Sequence, residues 1–343
     1  MNHSAVLSSS EEMVPEEFEW DISGKAVACV ILGLSFLIGA PGNLLVIWTI
    51  LRHVKQRSHP VEIILHLAAA DLLVLITLPL WIYSLVHTWV FGQATCNIVV
   101  YIIIVCMFGS IFLITLMSVE RFLAICHPFV MMRRKTTSVM RRCLVLLWLL
   151  AVLLGVPVLL TQPLDETDES EQCFIREFSS VTQGIVFLCL ETVMGFAVPF
   201  SILSICYCLV AAQIRKMNYS TKQKSMALVH AVVIAFTLCW LPYHVINIVD
   251  LVCILGLGEE HGCLPESIVF SSGALVFISS SVNPVLYVFF SRNLQQSLEQ
   301  SRLVRLFQEM VTHTNKPREV VVQQQTGQRA ANIQEEMMSD LTN

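Results

Sequence analysis

The chain is short of charge. Only 14% of its 343 residues are Asp, Glu, Lys or Arg, while 55% are hydrophobic and the mean hydropathy is +0.69; soluble domains carry about a quarter charged residues. A deficit this large over a chain this long excludes an ordinary soluble domain and points to lipid as the solvent. An enzyme site is missing too: no His/Cys cluster has metal-ligand spacing, and no nucleophile stands with a base at membrane depth. The last apolar stretch, 267–290, contains no lysine, so retinal has no Schiff-base partner there. Internal repeats, the usual mark of a secondary transporter, are absent. No cysteine follows Cys263, which leaves the tail without a thiol for palmitate.

What is present is a set of seven apolar stretches, at about 26–51, 63–86, 98–119, 143–164, 181–214, 226–255 and 267–290. Each reaches the roughly 20 residues that a helix needs to cross the hydrocarbon. The expected fold is all-α, a seven-transmembrane helix bundle over 26–290, after an acidic N-terminus at 1–25. Residues 291–310 place Leu294, Leu298, Leu303, Leu306, Phe307 and Met310 on one face, with Arg302 and Arg305 opposite. That pattern predicts a short amphipathic helix on the membrane surface. The polar segment 311–343 is expected to be a disordered tail. Residues 1–25 lack the basic-then-apolar pattern of a signal peptide, so the first span is expected to direct its own insertion.

Basic residues sort by loop. Arg52, Lys55 and Arg57, then Arg133, Arg134, Lys135, Arg141 and Arg142, then Arg215, Lys216, Lys222 and Lys224, and finally Arg292 share one side, against Lys25 and Arg176 on the other. Positive residues stay cytoplasmic, which predicts an extracellular N-terminus, a cytoplasmic C-terminus and a plasma-membrane protein. Asn2-His3-Ser4 then becomes a glycosylation acceptor, while Asn218-Tyr219-Ser220 lies on the inner side. Most of the 12 cysteines fall within spans and read as buried thiols. Cys96, Cys173 and Cys263 lie outside; Cys29, Cys253 and Cys263 are expected to be free thiols, with a second bridge among them as the alternative.

Ionisable groups at membrane depth require a partner or a role. Asp71 falls mid-span, with Asn43, Ser110, Ser279 and Asn283 at comparable depth. A carboxylate among hydroxyl and amide oxygens suits a small hard cation such as Na⁺; a water-holding polar cluster is the other reading. Glu191 either faces a ligand cavity or pairs with a neighbour such as His244. Pro79, Pro157, Pro199, Pro242 and Pro284 each interrupt a span, as passive kinks or as hinges of a two-state bundle.

Several motifs occur in order: Gly42-Asn43, Leu67-Ala68-Ala69-Ala70-Asp71, Trp89-Val90-Phe91-Gly92, Cys96, Glu120-Arg121-Phe122, Trp148, Pro199 with Tyr207, Cys239-Trp240-Leu241-Pro242 and Asn283-Pro284-Val285-Leu286-Tyr287. Together they resemble the rhodopsin-like (class A) G-protein-coupled receptors over about residues 40–290. The resemblance implies a Cys96–Cys173 disulfide, a sodium site at Asp71, Asn43, Ser110, Ser279 and Asn283, and no other cofactor. It implies a G-protein switch at Glu120, Arg121, Tyr207 and Tyr287, with Glu120 neutralising Arg121 at rest. Ile111, Pro199 and Phe236 match the packing triad that rearranges on activation, with Trp240 as the pocket floor. Phe122 replaces the usual tyrosine, and Lys222 stands where some members carry a locking acid, so the resting state is expected to be held less firmly. Thr312, Thr314, Ser339 and Thr342 are candidate phosphosites for arrestin.

Within the family, the runs 240–247 and 279–287, Leu113-Ile114-Thr115 and Glu191-Thr192-Val193 resemble the chemoattractant branch, and there the leukotriene B4 receptors. That implies a hydroxylated fatty-acid agonist, an inhibitory G protein and chemotaxis in inflammation, with Phe108, Arg176, Glu191, Trp240, Tyr243 and His244 as ligand-binding candidates. The departures are Gln162 and Gln183-Gly184, where basic side chains are expected, and Phe108 in place of a tyrosine. The outer segments are also acidic, which favours a cationic peptide as the alternative agonist. A non-coupling ligand-scavenging receptor is a further alternative, and no nucleic-acid partner is expected.

Overall fold

The computed structural model describes residues 16–54, 58–129, 137–160, 173, 180–215, 219–257, 264 and 266–290. Lipid offers the backbone no hydrogen bonds, so apolar stretches of this length satisfy their amides internally as helices. The helices are α1 (Glu16–His53), α2 (His59–Leu75), α3 (Leu78–Val86), α4 (Gln93–Cys126), α5 (Thr137–Gly155), α6 (Val181–Thr192), α7 (Val198–Ile214), α8 (Tyr219–Leu257) and α9 (Glu266–Phe290). The second span is α2 continued by α3, and the fifth is α6 continued by α7, giving seven spans. Six of the spans are long and apolar enough among the described residues to cross a membrane. The seventh, α9, has 25 residues, roughly 38 Å at 1.5 Å per residue. The fold is the all-α, seven-helix bundle expected.

Proline accounts for most of the interruptions. Pro79 opens α3, where Thr77 Oγ1 donates to Val74 O at 2.7 Å and bridges the break. Pro157 lies in a 3-10 turn, Val156–Leu160, so the α-helical part of the fourth span, α5, ends at Gly155. Pro199 follows a π turn, Val193–Ala197, that separates α6 from α7. Pro242 and Pro284 sit inside α8 and α9, and α1 holds a further one, Pro41. α1 begins at Glu16, before the apolar stretch starts: hydropathy marks what lipid covers, not where helical hydrogen bonding begins.

α4 is central, packing on α2, α5 and α7, while α1 lies along α9, α2 and α3. Small residues permit the closest crossings. A Cβ built on Gly39 of α1 would stand 2.7 Å from Ser281 Oγ, 2.8 Å from Leu75 Cδ1 and 3.0 Å from the Ser281 Cα. Trp89 is buried before α4, donating Nε1–H to Gly92 O at 3.0 Å. Gly92 caps α4 with φ 76°, a conformation that a side chain resists. The Cys96–Cys173 disulfide is formed across a separation of 77 residues. Cys29 is a free thiol, as expected, but Cys253 is disulfide-bonded. That corrects the reading of Cys253 as free: a thiol near a helix end can be oxidised to a bridge where it faces an oxidising compartment.

Candidate functional site

Three polar centres lie along the bundle. The first is near the end that carries the Cys96–Cys173 bridge. Glu191, only 8% exposed, lies in the last turn of α6, and its carboxylate accepts from Tyr243 Oη at 2.7 Å and from Asn247 Nδ2 at 3.0 Å, both on α8. Glu191 therefore has neighbouring polar side chains, Tyr243 and Asn247, as hydrogen-bond partners. Asn247 had not been singled out; it follows Tyr243 by one helical turn, so both amide and phenol lie on one face of α8.

His244 is fully buried and packs as a ring among aromatic side chains. Its imidazole stacks on Phe196 with centroids at 5.0 Å and on Trp240 at 6.1 Å, and meets Tyr243 edge-on at 5.2 Å. Phe236 closes the ring, 6.0 Å from Phe196 and 6.1 Å from Trp240, and 6.5 Å from Phe200. The π turn Val193–Ala197 carries Phe196 into this stack, since an extra residue per turn rotates the side chains that follow. Phe196 is a second residue missed from sequence, because a widened turn leaves no mark in periodicity. Phe108 of α4 is buried and stacks on Phe112 at 5.9 Å. Ile111 and Pro199 are also buried. The buried Trp240 Nε1–H has no hydrogen-bond acceptor.

The second centre is Asp71, fully buried in α2. Ser110 Oγ donates to its Oδ1 at 2.9 Å and Asn283 Nδ2 to its Oδ2 at 2.8 Å, which joins α2, α4 and α9. Asn43 takes another role: its amide donates to Gly39 O and Ser280 O, each at 3.0 Å, tying α1 to α9, while its Oδ1 is buried without a partner. Ser279 is partly buried in α9. Among the described residues no group of three His, Cys, Asp or Glu side chains is arranged to hold a metal ion; a hydroxyl-and-amide site of the Asp71 kind is of different composition.

The third centre closes α4 at the opposite end. Glu120 Oε1 lies 3.4 Å from His59 Nδ1, on the first turn of α2, and Glu120 Oε2 is buried without a partner. Glu120 thus meets the start of α2. Tyr207 is buried and accepts a hydrogen bond from Ser118 Oγ at 3.1 Å, linking α7 to α4. Arg176 and Asn2 lie outside the described residues, as do residues 291–343; the side chains of Lys222 and Tyr287 do so as well.

The family model described as 7 transmembrane receptor (rhodopsin family) matches residues 42–287. The chain belongs to that family, whose members are receptors and not enzymes, embedded in the membrane by several passes. Leukotriene B4 receptor 1 of Bos taurus is 33% identical over 296 residues, covering 84% of each chain. Leukotriene B4 receptor 2 of Homo sapiens is 34% identical over 299 residues, 84% of this chain and 82% of that one. Atypical chemokine receptor 3 of Canis lupus familiaris is 34% identical over 273 residues, covering 77% and 75%.

Proposed function

We propose that the chain is a plasma-membrane chemoattractant receptor. Its agonist is leukotriene B4 or a related hydroxylated fatty acid, bound at the end closed by the Cys96–Cys173 bridge. That end is extracellular, as the distribution of Lys and Arg supports, and the Glu120-Arg121 end meets an inhibitory G protein. The observation that carries the reading is the Glu191–Tyr243–Asn247 node set beside the closed aromatic stack of Phe196, His244, Trp240 and Phe236. Agonist hydroxyls can exchange for the node's own hydrogen bonds, and the acyl chain suits the aromatic walls. Because packed rings have discrete arrangements, a change at His244 or Trp240 reaches Phe236 as a repacking rather than a graded strain.

Arg121 is the G-protein contact, released when α8 moves outward, with Tyr207 and Tyr287 turning inward. Phosphorylated tail residues would recruit arrestin. Asp71, the Ser110 hydroxyl and the partnerless Asn43 Oδ1 offer hard oxygen donors that fit Na⁺. The ion would favour the resting packing. A peptide agonist is the second reading, favoured by the acids of the outer segments and by the similarity to a receptor named for chemokines. Competition for labelled leukotriene B4 on cells expressing the chain tests the choice. Displacement by unlabelled leukotriene B4 at low concentration is expected; binding and displacement only by a cationic chemotactic peptide would overturn the lipid assignment.

A further inference from the structure

We propose that a groove between α2 and α5 holds one glycerophospholipid with a primary-ammonium headgroup, of the phosphatidylethanolamine type. The groove encloses about 310 Å³ and lies apart from the three polar centres. α2 and α5 pack together, and both begin at the end of the bundle that carries Glu120. Three polar side chains line the groove. Two stand at that end, Glu62 in the first turn of α2 and Arg141 in the second turn of α5. His66 lies one turn beyond Glu62, and its Nδ1 accepts from Trp148 Nε1 at 3.3 Å. The walls that continue from there are apolar, with Leu144, Trp148 and Val152 among them. From Arg141 to Val152 the groove runs roughly 16 Å at 1.5 Å per residue, against a hydrocarbon core of about 30 Å. Its length is therefore that of one leaflet.

The order of the groups selects the occupant. A charge facing lipid is costly unless partnered, and among the described residues neither Glu62 nor Arg141 is in an ion pair. Glu62 lies where the α2 dipole favours a carboxylate. Opposite charges on two helices suit a headgroup that carries both signs. A phosphate accepts from the Arg141 guanidinium. An ammonium donates up to three N–H bonds, as a lysine does, and the Glu62 carboxylate only accepts. A trimethylammonium has no N–H to give, so a choline headgroup leaves Glu62 without a bond. An anionic headgroup meets repulsion from Glu62. His66 adds a third level: because Nδ1 accepts from Trp148, Nε2 carries the ring proton and suits an ester carbonyl, which follows the phosphate in a glycerophospholipid. An acyl chain then lies along the apolar walls. A sterol has a single hydroxyl and satisfies one level of the three. Placement in the inner leaflet rests on the orientation proposed above; the headgroup preference does not.

The test uses the full chain in phosphatidylcholine nanodiscs doped with phosphatidylethanolamine that carries a diazirine on one acyl chain. Light fixes the lipid to the protein, and peptide mapping locates it. Neither agonist nor G protein is needed, so failure of the agonist assignment leaves this result standing. Label should concentrate on residues 144–152 of α5. It should exceed the label from the matching diazirine phosphatidylcholine about fivefold, the scale of one charged contact at a membrane surface. Glu62→Gln should bring ethanolamine labelling down to the choline level, Glu62→Asp should keep the preference, and Arg141→Gln should weaken both lipids. Stepwise N-methylation of the headgroup should lower labelling of the unaltered protein in steps, which keeps the proposal open to refutation even where a variant fails to fold. Equal labelling by the two lipids, or a preference that survives Glu62→Gln in folded protein, would overturn the proposal. So would stronger labelling by diazirine phosphatidylglycerol, displacement of the probe by cholesterol at equal mole fraction, or absence of label from α5.

Discussion

Replacing Tyr243 by Phe removes one hydroxyl and leaves the ring, so its cost isolates the 2.7 Å bond to Glu191. Hydrogen bonds to charged groups contribute about 1.5–3 kcal/mol in proteins, while interhelical bonds in membranes average about 0.6 and reach about 1.7. A short bond to a carboxylate only 8% exposed belongs near the top of the membrane range, about 1.5 kcal/mol. Asn247 remains on the other oxygen, so the carboxylate keeps a donor and the loss stays below that of an orphaned buried charge. A double-mutant cycle of Tyr243→Phe and Glu191→Met, read as thermal stability of the purified receptor in nanodiscs, gives the pair's own share. The expected coupling is about 1.5 kcal/mol, seen as a fall of about 3–6 °C on Tyr243→Phe. Leukotriene B4 affinity should fall in the same variant. A coupling indistinguishable from zero would refute the reasoning, because α6 and α8 would then not be tied through this node.

Three further outcomes are expected. Gly39→Ala should cost about 1–3 kcal/mol because its Cβ meets Ser281 backbone, whereas Gly33→Ala, with nothing within 4 Å, should be neutral or stabilising; equal thermal stability of the two would contradict the α1–α9 contact. Asp71→Asn should abolish any lowering of agonist affinity by Na⁺ relative to K⁺ and cost about 1–3 kcal/mol, since the new amide faces the Asn283 donor; sodium sensitivity surviving in a radioligand assay would place the ion elsewhere. Cys96→Ser should cost about 2–4 kcal/mol, given a loop of 77 residues, and should weaken agonist binding; unchanged binding would remove the bridge from the pocket.

The fold was legible because a bilayer demands runs of about 20 apolar residues and tolerates few charges, so hydropathy alone locates the spans. It does not locate helix ends in water, which is why α1 starts at Glu16. The types of site residue were legible for the same reason: Asp71 and Glu191 stand out against lipid. Their partners were less so, because pairing depends on how each helix is rotated about its axis. Ser110 and Asn283 do reach Asp71, but Asn43 turns to the backbone of Gly39 and Ser280. Glu191 accepts from Tyr243 and Asn247, one turn apart on α8, and Glu120 lies beside His59 on α2. Phe196 owes its place to a π turn, which no spacing rule announces.

The most direct measurement is nucleotide exchange on a purified inhibitory G protein when leukotriene B4 is added to the reconstituted chain, with Arg121→Ala alongside. Exchange should rise with agonist in the unaltered protein and fall to the unstimulated rate in Arg121→Ala, while that variant still binds the ligand. Saturable agonist binding with no exchange in the unaltered protein, or full exchange in a well-expressed Arg121→Ala, would contradict a bundle that turns occupancy at one end into G-protein contact at the other.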